Sequence, residues 1–245
     1  MAKIRELNVA DRQQITPNMV RMVLDGGELS DFPEGYEGGY VKLLFGDGQK
    51  KPVLRSYTVS AFSSAERSLT LDMVAHGDSG PAATWANHVE VGQSVKISGP
   101  GPCKTANANA DWFLMAGDMS AMPAISVNLA SLACDAIGHV VIEVICEDDI
   151  RDMQKPQGVI LHWVINSEPE RRNTLLQDAV IALPWQKGQV GVWVAGEFRA
   201  SRALRQYFRN DRQVPKAFMY VSCYWKIGAT DEGMKIAKMT DVEPW

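Results

Sequence analysis

Short segments rich in Val, Thr, Tyr and Leu, several of which alternate apolar with polar residues, dominate the first hundred residues of the chain. Five such segments, separated by clusters of Gly, Pro, Ser and Asp, cover residues 16–26, 40–46, 55–62, 68–76 and 94–100. Within the segment at 68–76, Leu69 and Leu71 alternate with polar neighbours, which is the period of a half-buried strand. One stretch, residues 81–91, is instead typical of a helix, because Pro81 suits the first helical position. This series of short strands predicts a small antiparallel β-barrel.

A different pattern begins near residue 110, where strongly apolar runs alternate with segments of helical spacing. The apolar runs cover residues 111–118, 139–146, 159–166, 190–197 and 216–225. The helical segments cover residues 121–136, 172–183 and 199–210. Strands that are apolar throughout belong to sheets covered on both faces, and their alternation with helices predicts a doubly wound parallel α/β sheet. The polar segment at 104–111 separates the two patterns, so we expect a β-barrel domain over residues 1–106 and an α/β domain over residues 107–245.

Composition and charge restrict the class of protein. The 245 residues suffice for two domains, and 46% apolar with 22% charged residues is a globular balance. A net charge of −4 gives no overall attraction for nucleic acid or for an anionic membrane. No apolar run approaches the roughly 20 residues of a membrane span, and the charged N-terminus lacks the apolar core of a secretory signal. We therefore expect a cytoplasmic protein without nucleic-acid or membrane partners, and a monomer by default.

The cysteines and histidines indicate no metal or disulfide chemistry. The cysteines are scattered without a C-x-x-C pair, at Cys103, Cys134, Cys146 and Cys223. The four histidines show no metal-ligand spacing. We interpret the cysteines as buried thiols in a reducing compartment.

The first candidate binding segment is the strand sequence Arg-Ser-Tyr-Thr at residues 55–58. Arg55 can bind a phosphate through two parallel hydrogen bonds. Tyr57 lies on the same side of the strand, where its ring can pack along a planar cofactor, and Thr58 offers a hydroxyl and a backbone N–H. The alternative interpretation is an ordinary strand with one exposed arginine.

The second candidate is the turn at residues 76–84, between a strand and a helix. Gly77 and Gly80 allow the backbone to approach a ligand closely. Free N–H groups at residues 82–84, in the first helical turn, can stabilise a pyrophosphate together with the helix dipole. A plain turn explains the segment equally well, but one diphosphate needs both an arginine and a helix terminus, so the two segments support each other.

Three further segments lie where strands of the second domain end. The turn at 117–123 follows the first strand, where a nucleotide site is expected, but it is not G-x-G-x-x-G, which argues against a standard NAD dehydrogenase. Residues 196–199 end a later strand. Residues 223–226 end the last strand and place aromatic side chains beside a lysine, as at the border of a flat cofactor and an anionic substrate. The alternative for the turn at 117–123 is a routine connection between strand and helix. The alternative for residues 223–226 is a terminal strand followed by a charged, frayed tail.

Four arginines recur at helical spacing after the segment at 196–199: Arg199, Arg202, Arg205 and Arg209. A cation near a helix N-terminus is unfavourable by about 0.3 kcal/mol or more. We therefore expect Arg199 or Arg202 to meet an anion, with a solvated helix face as the alternative.

Taken together, these segments resemble the siderophore-interacting proteins, which are flavin-dependent ferric-siderophore reductases of the ferredoxin-reductase-like superfamily. Five segments carry the resemblance in order and spacing over nearly the whole chain, at residues 55–62, 76–86, 116–125, 192–209 and 223–228. The family has a barrel that holds FAD and a second domain that brings NADH or NADPH to it.

The resemblance implies roles for individual residues. The FAD contacts it implies are Arg55, Ser56, Tyr57, Thr58, Met73, Val74, His76, Gly80, Pro81, Ala82 and Thr84. The cofactor contacts it implies in the second domain are Gly117, Asp118, Ser120, Gly196, Glu197, Arg199 and Trp225. The sequence itself shows no nucleophile–base constellation and no metal-ligand spacing, so we expect no catalytic side chain and no bound metal. Three positions depart from the family pattern: Met119 and Ser120 stand where the family usually has Glu and Thr, and Lys226 stands where it often has Arg.

Electron counting explains such a reaction. A nicotinamide gives two electrons and ferric iron accepts one, so a flavin that releases electrons singly must stand between them. Ferric catecholate chelates are anionic, and we expect Lys226, Lys235 and Lys238 to form a local basic pocket for the ferric siderophore. A general flavin or ferredoxin-type reductase and a non-catalytic FAD-bound siderophore carrier are the alternatives. The siderophore and the choice between NADH and NADPH stay open.

Overall fold

The computed structural model describes residues 3–46, 52–75 and 80–241. The chain divides into two compact units, Met1–Lys104 and Thr105–Trp245. Among the described residues, no helix is both long enough and apolar enough to cross a membrane.

Six antiparallel strands close the first unit into a barrel, in the order β1-β2-β5-β4-β3-β6. The strands are β1 (Ile4–Thr16), β2 (Met19–Asp25), β3 (Tyr40–Phe45), β4 (Val53–Ser63), β5 (Ser68–Val74) and β6 (Ser94–Gly101). The helix α1 spans Pro81–His88, and a 3-10 turn covers Gly27–Leu29. Alternate strand residues fill the core, among them Leu7, Met22, Leu43 and Leu71. The predicted antiparallel barrel is confirmed.

Strand β1 is not predicted by the sequence pattern, because charged residues interrupt its apolar positions. Leu7 is fully buried, and Arg5, two residues before it, is only 3% exposed. Arg5 tolerates burial because its guanidinium donates to the carbonyl oxygens of Glu28 (3.0 Å) and Gly99 (2.8 Å) and to the Asp31 carboxylate (3.0 Å). An arginine therefore occupies a position where periodicity calls for an apolar side chain.

The second unit contains a parallel sheet of five strands in the order β11-β10-β7-β8-β9. The strands are β7 (Trp112–Asp118), β8 (Ile137–Val144), β9 (Gly158–Ile165), β10 (Val190–Glu197) and β11 (Met219–Trp225). The helices are α2 (Met122–Ser131), α3 (Leu175–Ile181), α4 (Phe198–Gln206) and α5 (Asp231–Met239). The chain runs outward from β7 to β9 and then returns to β10 on the other side of β7, so the doubly wound prediction is confirmed.

Several helix boundaries differ from the expected ones. The segment predicted as one helix over 199–210 is α4 followed by a π-helical turn at Tyr207–Asp211. The last strand is preceded by a 3-10 turn at Lys216–Phe218, and the segment for which a frayed tail was the alternative contains α5. Thr230 caps α5, since its hydroxyl accepts a hydrogen bond from the N–H of Gly233 (3.2 Å).

Gly138 illustrates how closely the sheet strands approach each other. It has a φ of +152°, and a Cβ placed on it would lie 2.0 Å from the carbonyl oxygen of Phe113 on β7. We expect Gly138→Ala to lower the free energy of unfolding by roughly 2 kcal/mol or more, through overpacking and backbone strain.

Chemical denaturation of the variant and the wild type measures this loss. Gly27→Ala is the matched control, since a Cβ there meets no described atom within 4 Å. Equal midpoints for Gly138→Ala and the wild type would contradict the close approach.

Candidate functional site

The Arg-Ser-Tyr-Thr segment lies on β4, beside β3. Arg55 is opposite Leu43 and Tyr57 is opposite Val41 in the strand register. Opposite residues share a face of the sheet, so Arg55 and Tyr57 point to the inner side of the barrel wall. Tyr57 packs against the barrel core, and both side chains remain half-buried. Arg55 and Tyr57 therefore lie on the same side of the strand, as predicted. Ser56, which is exposed, and Thr58, which is buried, lie on the outer face.

Helix α1 stands at the end of the barrel where Arg55 lies. The Phe45 ring, on the same face as Arg55, is 5.9 Å from the Trp85 ring of α1. Arg12 of β1 holds the other end of the helix, because its guanidinium donates to the carbonyl oxygens of Ala86 (2.8 Å) and Asn87 (3.1 Å). A cation at a helix C-terminus is favourable, so these contacts fix the position of α1 on the barrel.

The start of α1 has the features of an anion site, with one correction. Gly80 has a φ of +150°, and a Cβ on it would meet no described atom within 4 Å. No side-chain hydrogen bond caps the helix within the described residues. The N–H of Thr84 donates to the carbonyl of Gly80 (3.0 Å), so it closes the first turn and is not free as expected. Ala82 and residue 83 supply the remaining N–H groups of that turn, since Pro81 has none.

The other barrel residues assigned to FAD occupy different surroundings. Met73 is fully buried in the barrel core, and Val74, the last residue of β5, is half-buried. His76 lies outside the described residues.

In the second unit, the carboxylate of Asp118 connects the ends of three strands. Its Oδ1 accepts hydrogen bonds from the backbone N–H (2.9 Å) and the hydroxyl (2.5 Å) of Ser120. Its Oδ2 accepts from the N–H of Glu197 at the end of β10 (2.8 Å) and from the indole Nε1 of Trp225 at the end of β11 (2.8 Å). Burial raises the pKa of Asp118, and these hydrogen bonds oppose that rise. Asp118 therefore organises the site from within and has no free oxygen facing solvent.

Glu197 and Glu143 complete a group of carboxylates at this edge. Glu197 caps α4, since its Oε2 accepts from the N–H groups of Arg199 (2.5 Å) and Ala200 (3.2 Å). Its Oε1 accepts from the N–H of Ile227 (3.3 Å). Burial raises the pKa of Glu143, a hydrogen bond from Asn166 lowers it, and the nearby Asp118 and Glu197 raise it further.

Two glycines at this edge are required by packing. A Cβ on Gly117 would lie 2.7 Å from the carbonyl oxygen of Ala195, and one on Gly196 would lie 2.5 Å from the carboxylate of Asp118. Gly196 also has a φ of +144°. Met119 is buried and presents no charge at this edge.

The arginines of α4 find their anion within the chain. Arg202 Nε lies 2.9 Å and Arg205 Nη2 lies 3.1 Å from the carboxylate of Asp241, which follows α5. Arg202 therefore meets an anion, as expected, and this anion is a carboxylate of the same chain. Arg199 is exposed, and Arg209 is exposed on the π-helical turn.

The three candidate substrate lysines differ in their surroundings. Lys238 of α5 donates to the carbonyl of Cys223 (2.8 Å), Lys226 lies 5.3 Å from the centre of the Phe198 ring, and Lys235 is exposed. Lys226 and Lys238 both lower the pKa of the Cys223 thiol, so both ammonium groups are near it. Burial nevertheless raises that pKa to about 11.

The expectation of four buried thiols is wrong for three cysteines. Cys223 is buried, but Cys134 is exposed, and Cys103 and Cys146 are partly exposed. All four are free of disulfides. Among the described residues, no group of three or more His, Cys, Asp or Glu side chains is arranged to hold a metal ion.

Comparisons with known proteins identify the family. Residues 110–228 match the model of the siderophore-interacting protein family, and residues 8–51 and 46–103 match that of the siderophore-interacting FAD-binding domain. The ferric vibriobactin reductase ViuB of Vibrio cholerae is 31% identical over 93% of this chain and 91% of its own length. This chain belongs to the siderophore-interacting protein family.

Solved structures agree with that membership. The siderophore-interacting protein SipS of Aeromonas hydrophila superimposes with a TM-score of 0.87 at 30% identity, covering 97% of each chain. The Amycolatopsis cytochrome P450 reductase GcoB shares the fold alone, with a TM-score of 0.68 at 17% identity, covering 91% of this chain and 71% of its own. The same fold is found in the ferredoxin reductase of carbazole 1,9a-dioxygenase, with a TM-score of 0.67 at 14% identity, covering 91% of this chain and 70% of its own.

Several residues that shape the site were not predicted from the sequence, because no local motif or period marks them. Arg12, Glu143 and Asp241 lie outside the matching motifs, and their partners are far away in the sequence. Only the position of Glu143 near the carboxyl end of an apolar strand could have indicated it.

We expect Glu143→Gln to stabilise the protein at neutral pH. Because the folded-state pKa of Glu143 is raised, its contribution to stability is present below the ordinary glutamate pKa and is lost as the pH rises through the raised value. Glutamine keeps an acceptor for Asn166 without the charge. Thermal unfolding should show a midpoint higher by roughly 1–3 °C at pH 8 and almost no difference near pH 4.

Asp135→Asn, which neutralises an exposed carboxylate, serves as the control. A lower midpoint for Glu143→Gln at pH 8 would contradict the repulsion among Glu143, Asp118 and Glu197.

Proposed function

We propose that this chain is a cytoplasmic, monomeric FAD-dependent reductase that transfers electrons from NADH or NADPH to siderophore-bound Fe(III) and releases Fe(II). The observation that carries the proposal is the barrel end where Phe45, on the same face as Arg55, packs against Trp85 of α1, within a sequence that matches a siderophore-interacting FAD-binding domain. The ferric vibriobactin reductase and a ferric acinetobactin reductase among its relatives support the substrate class. The absence of disulfides among the four cysteines is compatible with a reducing compartment.

The residues of the barrel fit FAD. Arg55 supplies a planar guanidinium for a phosphate, and the start of α1 supplies N–H groups beside an open space at Gly80. Tyr57, half-buried and on the same face as Arg55, offers a ring for a planar group. A bound FAD would supply the chemistry that joins a two-electron nicotinamide donor to a one-electron ferric acceptor. The protein binds and orients both partners, and no proton-transfer residue is required.

The nucleotide site in the second unit is assigned to the edge where β7 and β10 end. The direction of the chain reverses between these strands, and open α/β sheets bind ligands at such a switch point. Gly117, Ser120, Gly196 and the exposed Arg199 are the residues at this edge that we assign to nucleotide contact. Asp118 and Glu197 act there by holding the backbone in place, because internal donors occupy their carboxylates.

The siderophore is assigned to the basic end of β11. Its ferric complex is anionic in the catecholate class, and a protein of net charge −4 needs local positive charge to attract it. Lys226 and Lys238 are near Cys223, and Lys235 lies three residues from Lys238 on α5.

The reductase is tested by anaerobic mixing of the purified holoprotein with a ferric siderophore and either NADH or NADPH. We expect nucleotide-dependent Fe(II), measured with a ferrous-specific trap, to form faster than with the same concentration of free FAD. The more efficient nucleotide identifies the donor. A yellow protein whose FAD is not reduced by either nucleotide would instead indicate the non-catalytic carrier.

Charge reversal tests the basic pocket. We expect Lys226→Glu, Lys235→Glu and Lys238→Glu together to raise the KM for an anionic ferric chelate by about tenfold at low salt, with a smaller effect at high salt. Lys187→Glu with Lys216→Glu, at two exposed positions, is the matched control. Steady-state kinetics with an unchanged KM at low salt would reject the pocket.

A further inference from the structure

The side chain of Trp225 crosses the edge where the nucleotide is assigned. Trp225 is at the end of β11, Asp118 is at the end of β7, and β10 lies between these two strands. The hydrogen bond from the indole Nε1 to Asp118 Oδ2 (2.8 Å) therefore carries the indole past the end of β10. This end carries Gly196, where a Cβ would collide with the same carboxylate. The indole thus occupies the switch point between β7 and β10.

Five backbone N–H groups at this edge are already engaged by the two carboxylates. Asp118 accepts from the N–H groups of Ser120 and Glu197, and Glu197 accepts from those of Arg199, Ala200 and Ile227. In nucleotide-binding folds, N–H groups at such a helix start receive phosphate oxygens. Here the chain's own carboxylates engage these five N–H groups, so access to the rest of this edge depends on the indole that crosses it.

The hydrogen bond between Trp225 and Asp118 can break while the Asp118 carboxylate stays in place. Asp118 is buried and retains three other hydrogen bonds when the indole leaves. Trp225 is only half-buried, so its ring has a path to solvent. Burial raises the pKa of Asp118, which makes its carboxylate dependent on its donors and favours the closed arrangement.

We propose that Trp225 is a gate over the nucleotide crevice, held closed by Asp118, and that NADH or NADPH reaches this edge only after the indole N–H leaves the carboxylate. The inference rests on the proposed use of a pyridine nucleotide. Asp118 acts through Trp225 and is a positioning residue. Because only the open fraction binds, removal of the tether increases apparent nucleotide affinity without altering the later electron transfer.

Trp225→Phe tests the gate in the holoprotein, because phenylalanine keeps an aromatic ring but has no N–H donor. We expect the KM for the preferred nucleotide to fall by about tenfold, with kcat unchanged, as one charge-assisted hydrogen bond is removed from the closed state. Trp163→Phe is the matched control, since Trp163 is also half-buried but lies on β9, the strand at the far edge of the sheet. This control should leave KM unchanged.

Indole N–H resonances supply a readout that does not depend on turnover. The signal missing from Trp225→Phe identifies the Trp225 N–H in the wild type. We expect saturating NAD⁺ or NADP⁺ to shift this signal and to speed its exchange with solvent, while the Trp163 signal stays in place.

The outcomes separate the two proposals. An unchanged KM in Trp225→Phe, or a Trp225 signal that does not move at saturating NAD⁺ or NADP⁺, overturns the gate while nucleotide-dependent FAD reduction still supports the reductase. If neither nucleotide reduces the FAD of the wild type or of Trp225→Phe, both the nucleotide donor and the gate are rejected.

Discussion

The hydrogen bonds of the Asp118 carboxylate hold together the edge of the second unit where β7, β10 and β11 end. A buried ionised carboxylate is costly unless hydrogen bonds surround it, and Asp118 has donors from Ser120, Glu197 and Trp225. These donors belong to the turn after β7 and to the ends of β10 and β11. The same need for hydrogen bonds therefore positions all three, and Gly196 leaves the space in which the carboxylate fits.

Ion pairs and polar contacts attach the elements that have little apolar surface to bury. Helix α5 leaves Ile236 and Met239 exposed. It is held instead by Lys238, which donates to the carbonyl of Cys223, and by Asp241 just beyond it, which pairs with Arg202 and Arg205 on α4. The carboxylate of Asp241 is 3% exposed and so is poorly screened by solvent. The C-terminal segment is thereby placed beside the basic residues at the end of β11.

The barrel uses arginines for the same purpose. Arg5 and Arg12 donate to backbone carbonyl oxygens of segments distant in the sequence, and in this way they join the barrel strands to their connections. A guanidinium suits this role because its several N–H groups can satisfy separate acceptors at once. Arg12 holds the C-terminal end of α1, the helix whose first turn we propose to bind the pyrophosphate of FAD.

The sequence by itself determined the architecture and the family. Period-two segments and apolar runs reveal a barrel and a parallel sheet because burial of strand faces leaves a local pattern. Motifs such as Arg55–Thr58 and Gly117–Pro123 are readable because their residues are adjacent in the chain.

Only the tertiary structure decided which polar groups satisfy each other. The pairing of Trp225 with Asp118 spans 107 positions, and that of Arg202 with Asp241 spans 39. Sequence reasoning assigned Asp118 and Glu197 to a ligand, whereas the fold surrounds both carboxylates with internal donors. Strand β1 and helix α5 escaped prediction for a related reason. Arg5 in β1 and Lys238 in α5 are partnered by carbonyl groups that come close only after folding, and no local period records such contacts.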